Sequence, residues 1–368
     1  MKSLPPAFVS AMTVVGWLAA AAPATAAPSA ATRIDALLRS VMAEDRLPSL
    51  SVAVARDGET VYAGAFGLAD VENAVPASTA TVYPFGSVTK SVTAVAVMQL
   101  AEQRRIDLDA PVHRACTAFP SWEHPPTARL LLGHLGGIRG YDFSRDGDFV
   151  NRVSYPSIEA ATAKFRDDPP TAEPGTKYVY SSFGYVLLGC VLESASGTEY
   201  GEHLRARVLE PAGMRQATLD RPEAIVPHRA RGYSMTPDRA WVNATWVDPS
   251  DRHPAAGLLA TPTDLVRFGT ALLAGDLLPE PEREEMWTQQ TTAADEPTGY
   301  GLGWTVSADG AEVFHGGTAM GATSYLYLRP HDRVVVAFVA NLSLWTQRRQ
   351  ELARELARIA GETVATPP

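Results

Sequence analysis

Hydrophobic and polar positions follow two periods along the chain. Residues 31–45 (ATRIDALLRSVMAED) place apolar side chains at helical spacing and predict a helix. Residues 49–56 (SLSVAVAR) and 60–67 (TVYAGAFG) are strand-like and flank Asp57-Gly58, a strong hairpin signal. From Ser87 to about Gln103 the chain is rich in Ala and Val and free of Gly and Pro, which predicts a helix buried by its surroundings. Between about 106 and 294 Pro and Gly recur. Short helical segments there, such as Ser157–Phe165, Gly184–Ala195, Tyr200–Val208 and Thr263–Ala274, are separated by loops. Strand-like segments return at 299–306, 311–315, 324–329 and 333–340, with turns at Asp309-Gly310 and Pro330-His331-Asp332. Residues 346–360 form an amphipathic pattern with Leu352, Leu356 and Ile359 on one face.

This order predicts a mixed α/β (α+β) fold. Short turns favour antiparallel strands, and the first hairpin can join the last strands in one sheet flanked by the terminal helices. Residues 27–105 and 295–368 then form a sheet-containing lobe, and 106–294 a mainly helical one. A cleft between two such lobes is a common place for a ligand site.

Composition narrows the partners. Of 368 residues, 46% are hydrophobic and 20% charged, with a net charge of −9, so the chain is globular and disfavours nucleic acid and anionic membrane surfaces. Residues 1–26 read as a secretory signal: Lys2, an apolar run from about Phe8 to Ala22, then the small residues Ala24-Thr25-Ala26. The run is shorter than the roughly 20 residues that span a bilayer, so no stable membrane span is expected after cleavage, and the mature protein is expected to be periplasmic or secreted. Export permits a disulfide between the two cysteines, Cys116 and Cys190. Cys190 lies in an apolar run, however, and reads as a small buried hydrophobe, so two separate thiols are expected.

Three segments carry candidate chemistry. Ser87-Val88-Thr89-Lys90 puts a hydroxyl and an amine three residues apart on one helical face. Its position at a helix start favours developing negative charge there. A lysine desolvated below its usual pKa of ~10.4 can take the serine proton and make it a nucleophile. With 22 Ser and 4 Lys, chance gives about 0.24 such pairs, and the chain has one. Tyr180-Ser181-Ser182 follows a Pro-Gly turn and opens an apolar helix, and a tyrosine near a lysine can shuttle a proton to and from a serine. His315-Gly316-Gly317-Thr318 lies on a predicted strand, where paired glycines signal close approach of another backbone or a ligand. The N–H of Thr318 can combine with that of Ser87 as an oxyanion hole.

Together these segments resemble the serine β-lactamase and penicillin-binding protein superfamily, in the branch of class C β-lactamases, D-alanyl-D-alanine carboxypeptidases and β-lactamase-like esterases and peptidases. Ser87–Lys90 matches its Ser-x-x-Lys, Tyr180-Ser181-Ser182 its Tyr-x-Asn, and His315-Gly316-Gly317 its Lys/His-x-Gly. Three further stretches, 131–139, 256–264 and 300–304, look like family signposts, and the similarity covers about residues 32–345. The resemblance implies a serine β-lactamase-like fold, Ser87 as acylated nucleophile, and Lys90 and Tyr180 sharing acid–base work. His315 would hold the proton network or a substrate carboxylate, with Gly317 and Thr318 at the substrate and oxyanion strand. Two departures stand out. Ser182 replaces the family's Asn, which leaves it a weaker part or none, and His315 replaces the lysine of efficient class C β-lactamases, so strong recognition of a β-lactam carboxylate is not implied.

The remaining histidines form no HExxH or paired ligand motif, no Gly precedes a lysine as a phosphate loop needs, and no serine has the Gly-x-Ser-x-Gly elbow. No metal or cofactor is therefore expected. The expected activity is an exported serine hydrolase acting through an acyl-Ser87 intermediate on a small-molecule or short peptide substrate with a peptide, ester or amide bond. The alternatives are a β-lactamase of modest efficiency and a non-catalytic binding or assembly protein on the same fold.

Overall fold

Strand β1 (Ser49–Arg56) buries seven residues in succession. Val52 and Val54 enter one core and Ala53 and Ala55 another, because side chains alternate across a strand and both faces are covered. These features belong to a computed structural model that describes Met1 and residues 28–362. Apart from Met1, the predicted leader at 1–26 lies outside the described residues. Asp57 (φ 50°) and Gly58 (φ 90°) make the tight turn to β2 (Glu59–Asp70), against which β3 (Val75–Pro76) pairs. Small sheets in the middle of the chain join β4 (Tyr83–Pro84), β5 (Thr218–Leu219) and β8 (Leu258–Ala260), and β6 (Tyr233–Met235) with β7 (Trp241–Asn243). The last strands are β9 (Thr305–Val306), β10 (Val313–Ala319), β11 (Ala322–Arg329) and β12 (Val334–Ala340).

The first hairpin and the last strands join in one antiparallel sheet, as the sequence predicts; it has seven strands in the order β3-β2-β1-β12-β11-β10-β9. Strand boundaries differ most at β9 and β10. Residues 299–306 join the ladder only at Thr305–Val306, because Gly299 and Gly303 take left-handed φ values of 70° and 87° and turn the chain away. Strand β10 runs past the predicted end at 315 to Ala319, since its glycines still pair with β11, Gly317 opposite Ser324.

Helices α1 (Ala30–Asp45) and α10 (Arg349–Gly361) cover one face of the sheet with Ile34, Leu38, Leu352, Leu356 and Ile359. On the other side lies α2 (Thr89–Glu102), buried on nearly every side as its composition predicts. The rest of the helices are α3 (Ala128–Leu132), α4 (Ile158–Ala161), α5 (Ser182–Ser196), α6 (Tyr200–Leu204), α7 (His253–Ala256), α8 (Pro262–Ala274) and α9 (Glu280–Trp287). Helix α8 packs on β1 and β12, and Gly269 lets it approach Val335. Among the described residues no helix is long and apolar enough to cross a membrane, and no group of three or more His, Cys, Asp or Glu could hold a metal ion.

The two cysteines are not separate thiols. Cys116 and Cys190 form a disulfide with Cα atoms 5.5 Å apart. The apolar setting of Cys190 is correct, but it is the setting of the bridge: α5 points Cys190 into the core where the segment after Val112 delivers Cys116. Sequence separation hides this meeting. Closing a loop across 74 positions stabilises the fold by about 4 kcal/mol in the chain-entropy picture. A Cys116→Ala, Cys190→Ala variant should therefore unfold at clearly lower urea, by about 2–4 kcal/mol. Two free thiols titrating in the folded, unreduced protein would contradict the bridge.

Candidate active site

Ser87 lies in the 3₁₀ turn Gly86–Val88 that leads directly into α2. Gly86 takes a left-handed φ of 52°, and a Cβ there would lie 2.6 Å from the Thr318 carbonyl oxygen. The turn that presents Ser87 thus rests backbone to backbone on β10. One turn along, Lys90 is 0% exposed. Its Nζ lies 3.1 Å from Ser87 Oγ, 3.1 Å from Ser182 Oγ and 3.0 Å from the Ala255 carbonyl oxygen. No carboxylate pairs with it among the described residues. Burial, aided by the positive charge of Arg252, holds the amine well below the usual lysine range.

The second segment leads into α5. Ser181 caps α5 by accepting the Gly184 N–H at 2.9 Å, which fixes the turn that carries Tyr180. The Tyr180 ring centre lies 4.9 Å from Lys90 Nζ, and the residue is 39% exposed. Burial of its hydroxyl end raises the phenol pKa, while hydrogen bonding with Ser87 opposes the rise. Ser182, expected to play little part, keeps a direct bond to Lys90.

The third segment is β10. Strand β9 pairs only with Val313 and Phe314, so the edge from His315 onward has no ladder partner there among the described residues. The two glycines have separate reasons. A Cβ on Gly317 would overlap the Phe85 carbonyl, and one on Gly316 would lie 2.9 Å from Arg349 Nη1. Ser324 Oγ donates to the same Phe85 carbonyl at 2.7 Å and locks the turn to the sheet. His315 is buried. Its Nδ1–H donates to the Gly316 carbonyl at 2.8 Å, and Nε2 accepts the Tyr300 hydroxyl at 2.8 Å. Burial above all pushes its pKa down to about 3, so the imidazole is neutral across the physiological range.

The three predicted segments therefore meet in space, with Ser87, Lys90 and Ser182 in direct contact and Tyr180, His315 and Thr318 around them. Sequence reasoning missed four participants. Tyr300 and His134 lie in the stretches 300–304 and 131–139, noticed only as signposts. The Ala255 carbonyl and Arg252 had no signal, because a backbone acceptor and a remote charge leave no motif. Arg252 forms a two-bond fork with the fully buried Asp251, at 2.6 and 2.8 Å, and its guanidinium sits 4.9 Å over the Tyr141 ring.

A family model described as Beta-lactamase matches residues 34–361, nearly all of the described chain. The chain belongs to the Beta-lactamase family. Its relatives include the human serine beta-lactamase-like protein LACTB, mitochondrial, at 27% identity over 80% of this chain and 71% of that protein. Among solved structures, the octameric penicillin-binding protein homologue from Pyrococcus abyssi superposes with a TM-score of 0.76 at 28% identity, covering 90% of this chain and 77% of that one. A D-stereospecific amidohydrolase from Streptomyces gives 0.74 at 25% identity, covering 90% and 98%. Within the Beta-lactamase family this chain therefore has the fold of the penicillin-binding-protein-like serine hydrolases, and the match spans both halves of the sheet and the helices between them.

Proposed function

We propose that the protein is an exported serine hydrolase that forms an acyl-Ser87 intermediate from amide, peptide or ester substrates whose leaving side needs no carboxylate. The contact that carries this reading is Ser87 Oγ at 3.1 Å from the amine of a fully buried lysine. A neutral amine has two N–H donors and one lone pair. The donors match Ser182 Oγ and the Ala255 carbonyl, which leaves the lone pair for the Ser87 proton. Tyr180 is shifted the opposite way and keeps its proton. Two groups whose environments push their pKa values apart divide into a base and an acid.

In the resulting cycle Lys90 takes the Ser87 proton and Oγ bonds to the substrate carbonyl carbon. The N–H groups of Ser87 and Thr318 receive the oxyanion. As the tetrahedral intermediate collapses, Tyr180 gives its proton to the departing nitrogen or oxygen and recovers one from the Lys90 ammonium. Water then enters, loses a proton to the same pair, and releases the acid with Ser87 restored. The buried disulfide supports export, since such bridges persist in oxidising compartments.

Treatment with a fluorophosphonate, followed by peptide mapping, should place one adduct on Ser87. Absence of an adduct with this probe and with a fluorescent penicillin would favour a non-catalytic binder. The neutral His315 also sets a preference. A charged contact to a substrate carboxylate is worth about 1.5–3 kcal/mol, roughly 10- to 150-fold. Without that contact, kcat/KM for a peptide bearing a free leaving-side carboxylate and for its carboxamide should differ by less than about tenfold. A hundredfold preference for the carboxylate would refute this. β-Lactams, which present a carboxylate, should accordingly turn over slowly.

A further inference from the structure

The stretch 131–139 reaches the cleft without supplying a group to the cycle above. Within it, His134 follows α3 in the left-handed conformation, φ 59°, where a helix end ordinarily carries glycine. A side chain held there stores backbone strain that its contacts must offset. Those contacts converge on one target. The His134 carbonyl accepts the Val179 N–H at 2.8 Å, and its Nδ1 accepts the Ser181 N–H at 3.1 Å. One residue thus grips the backbone on both sides of Tyr180. Its ring also packs 4.2 Å, centre to centre, from the Tyr180 ring.

Because Nδ1 accepts, the proton sits on Nε2. That nitrogen is buried without a hydrogen-bond partner, and the residue is 2% exposed, ringed by Tyr178, Tyr185 and Tyr300. An imidazolium would find no counter-charge there. Burial likewise pushes this histidine well below its ordinary range. The neutral ring that the Ser181 bond requires is therefore the form the site enforces.

We propose that His134 is a positioning residue that holds the Tyr180 hydroxyl against Ser87 through the Nδ1 bond and the ring contact. The inference rests on the reading of Tyr180 as the proton donor. The test compares His134→Asn, whose amide oxygen can replace Nδ1, with His134→Leu, which fills the space but accepts nothing. Each is made alone and in a Tyr180→Phe background, with turnover of a peptide p-nitroanilide and the melting temperature measured. His134→Leu should lower kcat by about 10- to 100-fold with KM changed by less than about threefold, and His134→Asn should recover most of the loss. In the Tyr180→Phe background His134→Leu should add less than about threefold.

Unchanged kcat in His134→Leu overturns the proposal. So does equal loss in the two variants while both melt like the parent, or an undiminished loss in the Tyr180→Phe background. Should the leucine variant not fold, His134→Gln, whose amide reaches beyond the Nδ1 position, takes its place. Failure of the functional reading is distinct: the unaltered protein then gives no Ser87 adduct, and the inference falls with it.

Discussion

Ser87→Ala and Lys90→Met should each lower kcat/KM for a p-nitrophenyl ester by roughly 10⁴- to 10⁶-fold, and the double variant should be no slower than either. The non-additivity follows from geometry. Ser87 Oγ without a base is a neutral hydroxyl, and Lys90 without Ser87 has no proton to take, so removing one partner of the 3.1 Å contact removes the work of both. Methionine suits Lys90 because it keeps an unbranched stem of similar length and removes the amine. The matching pH profile has a definite sign. Lys90 works as the free base, and its pKa is held well below the lysine range, so activity falls as acid protonates the amine, and that limb lies below the pH range in which an ordinary lysine titrates. His315 adds no acid limb above pH 4, since its imidazole titrates near 3. Losses that multiply in the double variant, or activity that rises only above pH 10, would show that Lys90 is not the base.

The depressed lysine has an origin that no motif reports. Burial dominates, and the charge of Arg252, whose guanidinium lies over the Tyr141 ring, adds to it. Arg252 is itself held by Asp251, which also accepts from Lys164 Nζ at 2.6 Å. Residues 182–255 thus supply both the charge of Arg252, which helps lower the amine's pKa, and the Ser182 hydroxyl and Ala255 carbonyl, which orient the amine toward Ser87.

What the sequence makes legible divides along the same line. Strands β1 and β12 show themselves because burial on both faces needs a continuous apolar run, and Asp57-Gly58 shows the hairpin because few residues tolerate its backbone angles. Ser87 and Lys90 are legible because helical spacing alone brings them together. The Cys116–Cys190 bridge is not, since nothing local separates a bridged from a free buried cysteine. His315 is visible as a strand residue, but its neutrality follows from how deeply the fold buries it, which no local pattern reports. The paired glycines are legible as a close approach, and the structure supplies what approaches: the Phe85 carbonyl and the Arg349 guanidinium.

Tyr180→Phe should separate two substrates that Ser87→Ala cannot. The change removes one oxygen and keeps the ring against His134 and Lys90. A p-nitrophenolate departs without a proton, so acylation by a p-nitrophenyl ester should persist as a stoichiometric burst, with the steady state slowed at deacylation. An amide nitrogen cannot leave unprotonated, so acylation by a peptide p-nitroanilide or a simple carboxamide should fall by about 10²- to 10⁴-fold, the usual worth of a placed general acid. The upward-shifted phenol favours this division, because a tyrosine that keeps its proton is ready to donate before it can accept. Rapid-mixing kinetics on both substrate types measure it directly. Equal loss on ester and amide, with no burst on the ester, would mean that Tyr180 shapes the cleft and leaves the leaving-group proton to Lys90.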